Sequence, residues 1–399
     1  MSQKIPLLSL QQQYQVIGSE LERCVIDVLR SGNYILGQHG ARLEEDIAKL
    51  SDCRYGVGVA NGTDALILAL WALDIGPGDE VITTPFTFAA TVEAITLRGA
   101  KPVFVDIDEA SFNINPRLIE QAITKKTRAI LPVHLYGLPA DMDPIMAVAN
   151  AHGLKVVEDN AQSIGATYKG RAAGSFGDVA SISFYPTKNL GAAGDAGMLV
   201  TNSEKTAQRL KRLRAHGSHQ RYYHEELGVN SRLDELQAVV LSTKLPHLKA
   251  WNARRDAVAR LYAQALQDCN GLITPSVTFA TAPVGGNAPI THVWHQYTVR
   301  VTGSAGREAV AKHLAADGIG SMCYYPVPLH LQQAFSDLGC KVGDFPVTEL
   351  VSDQVLSLPM YPELTVEQVT AVAGSLKSIL GASAPLFVPA PVPTPVFTL

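Results

Sequence analysis

The order of apolar segments in this 399-residue chain predicts an α/β protein: a large unit built on a mostly parallel sheet, followed by a smaller C-terminal α+β unit. Three observations predict it. From about residue 54 to 201, short apolar runs alternate with amphipathic helical patterns, which is the βαβ order of a parallel sheet covered on both faces. After residue 250 the order changes to helix, strand, helix, strand. Finally, an apolar content of 47% with 18% charged residues describes a compact chain with a large core.

The elements follow in order. Asp79 to Pro85 reads as a strand, Phe88 to Arg98 as a helix, and Pro102 to Asp106 as a strand. Arg117 to Ile123 reads as a helix, Ala129 to Val133 as a strand, Pro144 to His152 as a helix, and Leu154 to Glu158 as a strand. In such sheets ligands gather at the carboxyl ends of strands, where Asp159 and His134 fall. Leu227 to Leu248 reads as a long connecting helix interrupted near Pro246, and Trp251 to Leu266 as a second helix. Trp294 to Val301 then alternates like a strand, Arg307 to Ala316 repeats like a helix, and Met322 to Tyr325 reads as a further strand. This divides the chain into a large unit over 1–250, a small unit over 251–380 and a proline-rich tail over 381–399, with residues 1–30 free to pack on the small unit.

A net charge of −4 offers no basic field for nucleic acid. Cys24, Cys53, Cys269, Cys323 and Cys340 are odd in number and far apart, which argues against a disulfide framework and against a zinc site. No secretory leader and no membrane-spanning run is apparent, so the cytoplasm is the default compartment and no metal is expected.

The chemistry concentrates around one lysine. Ser183 stands five residues before Lys188, and Asp159 stands 29 residues before it at a predicted strand end. Pyridoxal 5′-phosphate needs an amine for a Schiff base, a carboxylate to keep its ring nitrogen protonated, and hydroxyl and amide donors for its phosphate. Lys188 also precedes a glycine-rich stretch, Gly191 to Gly197, that permits close backbone approach. Asn61-Gly62-Thr63-Asp64 opens a strongly apolar helix, and its free amides form a phosphate cradle or a plain N-cap. Phe86 and Phe88 open a helix right after a strand, where the Phe88 ring can stack on a cofactor face. Gly56-Val57-Gly58 lacks the third glycine of a dinucleotide fingerprint, which excludes a nicotinamide-binding reading.

The motifs Gly62-Thr63-Asp64-Ala65-Leu66, Glu158-Asp159-Asn160-Ala161-Gln162, Ser183 to Leu190, Gly194-Asp195-Ala196-Gly197 and Gly228 to Gln237 together resemble the DegT/StrS family of sugar aminotransferases, from about Ile5 to Leu380. The resemblance implies the fold-type I aminotransferase architecture and a homodimer or larger assembly. It also implies amino transfer from L-glutamate to a keto sugar linked to a nucleoside diphosphate, TDP or UDP. By matching positions, Lys188 would be the Schiff-base lysine, Asp159 the partner of the ring nitrogen, and Gln162 a neighbour of the ring hydroxyl. Gly62, Thr63 and Ser183 would hold the phosphate, joined by Asn230 from the partner subunit, while Arg232, Tyr325 and His330 would face the substrate. The Tyr222 to Glu226 segment resembles members acting on 3-keto deoxysugars.

Three other readings stand beside this one: a sugar dehydratase on the same fold, a cyclitol aminotransferase, and a regulatory protein that binds the cofactor without turnover. The dehydratases resemble this chain with histidine in place of the lysine, so Lys188 points to transamination.

Overall fold

A computed structural model describes residues 4–220, 222–276 and 290–381; the proline-rich tail lies outside them apart from Gly381. Helices α1 (Leu10–Ser31) and α2 (Gln38–Leu50) precede β1 (Tyr55–Val59), α3 (Gly62–Ala72), β2 (Glu80–Thr83), α4 (Ala89–Leu97) and β3 (Lys101–Phe104). Next come β4 (Thr127–Ile130), α5 (Met142–His152), β5 (Lys155–Asp159), the short β6 (Thr167–Tyr168) and β7 (Arg171–Ala172), β8 (Val179–Ser183), β9 (Gly197–Thr201) and α6 (Glu204–Leu213). The short pair β10 (Ser218–Gln220) and β11 (Tyr223–His224) leads to α7 (Glu235–Lys244) and α8 (Leu248–Leu266). The chain closes with β12 (Leu272–Ile273), β13 (Tyr297–Val301), α9 (Gly306–Ala316), α10 (Pro346–Gln354), β14 (Val355–Leu358) and α11 (Val366–Leu380).

The central sheet has seven strands in the order β1-β9-β8-β5-β4-β2-β3. Strands β3, β2, β4, β5 and β8 run parallel, as the βαβ pattern predicts, whereas β9 is antiparallel to both β8 and β1. The reversal follows from the connection. A parallel return needs a crossover, usually a helix, but the chain from Phe184 to Ala196 contains none and folds back on itself through Ala192 N to Phe184 O and Phe184 N to Ala196 O. Lys188 sits on that fold-back, at the carboxyl end of β8.

Both faces of the sheet are covered. On one, Leu66 and Leu70 of α3 pack on Val57, Val81, Val157 and Leu199; on the other, Leu43 and Ile47 of α2 pack on Ile182, Met198 and Leu241. Helix α3 is apolar on nearly every side and accordingly buried. A second core lies behind the three-stranded sheet β12-β13-β14, where α8, α9 and α11 contribute Tyr262, Leu314 and Leu376. Ile5 joins that core and bridges Ile319, whereas α1 lies along α7. The expected boundary after residue 250 falls within the first turn of α8.

Four expectations are corrected. The segment expected to be helical at 117–123 forms two short 3₁₀ turns, Pro116–Leu118 and Glu120–Ala122, the first capped by the Asn115 side chain. The helix expected from Leu227 begins only at Glu235, because residues 229–231 pair with 213–216 through Val229 N to Leu213 O, His216 N to Val229 O and Ser231 N to Arg214 O. The interruption expected near Pro246 is present, as a 3₁₀ turn, Leu245–His247, that joins α7 to α8. Met322 to Tyr325 makes only a single bridge, Met322 to Ser357, and β13 starts at Tyr297 because Trp294 holds a left-handed φ of 48° that strand geometry does not allow.

Candidate active site

The site forms where β1, β5 and β8 end. Asn61 caps α3 by accepting from Asp64 N at 2.8 Å, which leaves the Gly62 and Thr63 amides without an acceptor among the described residues. Close packing makes this a cradle that only glycine permits: a Cβ on Gly62 would stand 2.7 Å from Ser183 Cβ, and one on Gly197 would stand 2.3 Å from Asn61 O. Gly62, Thr63 and Ser183 are thereby brought together at a helix N-terminus, with geometry and dipole suited to a phosphate.

Asp159 ends β5 and is only 5% exposed. Its Oδ2 accepts from Thr91 Oγ1 at 2.8 Å and its Oδ1 from Ala161 N at 3.1 Å, and it makes no ion pair within 4 Å among the described residues. A buried carboxylate held by neutral donors alone fits a group that brings its own cationic N–H. Gln162 is anchored through Oε1, which accepts from Tyr136 N at 2.6 Å, while its Nε2 donates to the Tyr325 hydroxyl at 3.3 Å. Burial pushes the Tyr325 phenol above its usual range, so it remains protonated.

The Lys188 turn is fixed from several directions. Lys188 N donates to Tyr185 O at 2.8 Å, and Lys244 Nζ, itself buried, donates to Gly191 O at 2.7 Å. A Cβ on Gly191 would fall 2.2 Å from Pro186 O, so this reversal also demands glycine. Although Lys188 keeps some exposed surface, its amine lies deep enough that desolvation lowers its pKa to about 8, against the opposing pull of Asp159. An amine so placed is available in its neutral, nucleophilic form near neutral pH. Amine, cradle and buried carboxylate together fit pyridoxal 5′-phosphate.

The two phenylalanines separate. Phe86 is sealed in the core against Phe112, Tyr136 and Tyr325, whereas Phe88 is 57% exposed with its ring 6.2 Å from that of Tyr325. His330 is not brought to the cluster as an open side chain. It is 2% exposed, its Nε2 pairs with Glu349 Oε1 at 3.1 Å, and its Nδ1 is buried without a partner. The loop that carries it does abut the site, since Leu329 N donates to Pro85 O. Asn230 is exposed, and Arg232 lines a separate cleft of about 970 Å³ with Arg212, Arg214, His216 and His224. That cleft shares no lining residue with the Lys188 cluster. Ser231 ties this segment to the cradle, its Oγ donating to Asp64 Oδ2 at 2.6 Å.

Thr91, Tyr136, Asn189, Lys244 and His295 belong to this environment and were not singled out from the sequence. Only Asn189, next to the lysine, carried a local signal.

Comparison with known proteins places this geometry. The model of the DegT/DnrJ/EryC1/StrS aminotransferase family matches residues 15–377. The chain is 49% identical over 91% of its length to a "Pleiotropic regulatory protein" of Geobacillus stearothermophilus, covering 95% of that protein. It is 47% identical over 94% of its length to a UDP-N-acetyl-3-dehydro-α-D-glucosamine 3-aminotransferase of Acidithiobacillus ferrooxidans, covering 98% of it. Among solved structures, that of Streptomyces venezuelae DesV in complex with a ketimine intermediate superposes with a TM-score of 0.90 at 43% identity, covering 96% of this chain and all of the other. Among the described residues, no helix is long and apolar enough to cross a membrane, and no cluster of three His, Cys, Asp or Glu is placed to hold a metal ion.

Proposed function

The chain belongs to the DegT/DnrJ/EryC1/StrS aminotransferase family, and from that premise we propose that Lys188 and Asp159 carry out transamination from L-glutamate to a 3-keto sugar borne on a nucleoside diphosphate, UDP or TDP. Pyridoxal 5′-phosphate is the cofactor of this family. The observation that carries the assignment is the joint placement of the Lys188 amine, lowered to about 8, and the buried Asp159 carboxylate without a cation of its own.

When bound, the cofactor supplies an electrophilic carbon for amines and a ring that withdraws electrons from the donor's α-carbon. Lys188 would anchor it covalently, Asp159 would hold the proton on its ring nitrogen, and Gln162 would stand beside its ring hydroxyl. The Gly62 and Thr63 amides and the Ser183 hydroxyl would hold its phosphate, joined by Asn230 of a second copy. In the first half of the cycle the freed Lys188 amine would accept the donor's α-proton and hand it on to the cofactor, and in the second half it would take a proton back from the cofactor and deliver it to C3 of the sugar, so that Lys188 ends each half unchanged. Phe88 and Tyr325, whose rings lie 6.2 Å apart, would line one side of the cofactor. Arg232 and the loop that carries Tyr325 and His330 are our candidates for the substrate side.

The 3-keto choice and the nucleotide rest on the Acidithiobacillus relative and on the Tyr222 to Glu226 segment. The shared-site dimer rests on the exposure of Asn230 and on a neighbouring apolar surface that includes Ile35, Leu36, Tyr222, Tyr223, Leu227 and Val229. Cytoplasmic residence is our reading, supported by five cysteines that are all free.

The Geobacillus relative's name favours a second reading, a regulatory protein. One experiment separates the two. Purified protein mixed with L-glutamate should convert its cofactor absorbance to the pyridoxamine form, and a panel of UDP- and TDP-linked 3-keto and 4-keto sugars should restore it. No conversion with glutamate or any other common amino acid would favour the regulatory reading; recovery with 4-keto sugars alone would overturn the 3-keto assignment.

A further inference from the structure

Behind Asp159 lies a chain of two buried hydroxyls. Thr91 is fully buried and Thr87 nearly so. Thr91 Oγ1 donates to Asp159 Oδ2 at 2.8 Å, and Thr87 Oγ1 lies 3.0 Å from Thr91 Oγ1. A carboxylate only accepts and a threonine hydroxyl has a single hydrogen, so the Thr91 proton is committed to Asp159. Thr87 must then be the donor to Thr91. Both bonds therefore run in one direction, toward the carboxylate.

This use of a helical threonine is unusual. Inside a helix a threonine hydroxyl commonly returns to the carbonyl three or four residues back, and Thr96 of α4 does so, donating to Val92 O at 3.0 Å. Thr91, in the first turn of the same helix, instead directs its proton outward to a residue on β5. The turn is firmly seated. Thr91 N donates to Phe88 O at 3.2 Å, and Ala90, Ala94 and Ile95 are sealed in the core shared with α3. A β-branched side chain on such a turn has few rotamers open to it. On the other carboxylate oxygen, Asp159 Oδ1 accepts from Ala161 N at 3.1 Å. One donor on each oxygen, from two separate segments, fixes the plane of the carboxylate and leaves it lone pairs for one further donor. Phe88 is the N-cap residue of α4, so the carboxylate and that ring take their positions from one piece of backbone.

We propose that Thr91 is a positioning residue for Asp159: backed by Thr87, its hydroxyl sets which lone pair of the carboxylate meets the cofactor's ring nitrogen and favours the proton on that nitrogen over the carboxyl. A donor bond to a carboxylate stabilises its ionised form, and here that bond competes with proton transfer from ring to Asp159. Thr91 acts only through Asp159. The inference rests on the ring-nitrogen role of Asp159, which Asp159→Asn tests separately.

The test compares Thr91→Val and Thr91→Ser, each alone and combined with Asp159→Asn, in folded variants saturated with cofactor. Stopped-flow absorbance gives the rate of the first half-reaction with glutamate. With Asp159 in place, Thr91→Val should slow it about tenfold through loss of one hydrogen bond to a charged group. Thr91→Ser keeps the hydroxyl and should stay within about threefold of wild type. In the Asp159→Asn background, Thr91→Val should change the rate by less than about twofold, because the charge it acts through is gone. Equal slowing in both backgrounds, or a Thr91→Ser rate as low as that of Thr91→Val, overturns the proposal. A second readout is independent of turnover. With ¹⁵N-labelled cofactor bound and no amino donor, the ring-nitrogen resonance should sit at the protonated position in wild type and move toward the unprotonated position in Thr91→Val; the same resonance in both refutes the proposal. If Thr91→Val does not fold, a crystal structure of the wild-type holoenzyme decides. Thr91 Oγ1 within about 3 Å of an Asp159 oxygen, with the ring nitrogen on the same carboxylate, supports the proposal, and a Thr91 hydroxyl turned back to the Thr87 carbonyl refutes it. An Asp159→Asn rate near that of wild type would overturn the ring-nitrogen role itself, and the inference with it, whatever the Thr91 variants do.

Discussion

Asp159→Asn removes a charge while keeping nearly the same shape, and the hydrogen bonds around Asp159 allow the swap. The new amide oxygen can accept from Ala161 N as Oδ1 does now, while the new NH₂ donates to Thr91 Oγ1. Thr91 can release its own proton toward Thr87 Oγ1, 3.0 Å away. The variant should therefore fold with a thermal midpoint close to that of wild type. What disappears is the attraction between a carboxylate and a protonated ring nitrogen, about 4 kcal/mol for unit charges roughly 4 Å apart at an effective dielectric of about 20. At about 1.36 kcal/mol per decade, the first half-reaction with glutamate should slow about 10³-fold. Stopped-flow absorbance measures that rate, and fluorescence titration measures the cofactor Kd, which should change by much less than the rate. The same charge also raises the Lys188 pKa, so its removal should move the acylation midpoint of Lys188 in apoprotein below about 8. A half-reaction rate within about tenfold of wild type, in a folded variant saturated with cofactor, would refute the ring-nitrogen role.

Lys188→Ala should abolish transamination and leave a folded protein that binds cofactor without a covalent link; borohydride reduction of wild type should label Lys188, and a label on another lysine refutes the assignment. Gly62→Ala places a methyl 2.7 Å from Ser183 Cβ, which should cost about 1–3 kcal/mol and weaken cofactor binding at least tenfold; an unchanged Kd would mean that the cradle is not the phosphate site. Burial lowers both Lys188 and Lys244 to about 8, whereas an unfolded lysine titrates near 10.4. Between about pH 8 and 10 the unfolded chain binds protons that these groups have released in the fold, so they make apoprotein stability rise with pH there. Lys244→Met should flatten that rise in urea unfolding, and an unaltered slope would contradict the buried-ammonium reading. Mixing Lys188→Ala with Asn230→Ala/Arg232→Ala homodimers should regenerate one intact site per mixed dimer; absence of activity after proven subunit exchange would place these residues within one chain.

The sequence alone determined the features that act over short stretches of chain. The alternation of apolar runs and helical periods required a covered parallel sheet, because only that arrangement buries both faces of successive strands joined by helices. Ser183 and Lys188 share one fold-back, and Asn61, Gly62 and Thr63 share one helix start, so spacing was enough to link them. Tertiary docking decided what lies between distant segments. The docking of β9 on β1, the late start of α7 at Glu235 and the turning of His330 toward Glu349 all depend on pairings beyond the local stretch of chain. Thr91 reaches Asp159 across 68 positions, and His295 reaches Asn189 across 106. A hydrogen bond between buried side chains exists only where packing has already brought and oriented both partners, and neither a threonine inside a helix nor a histidine before a strand announces its partner locally.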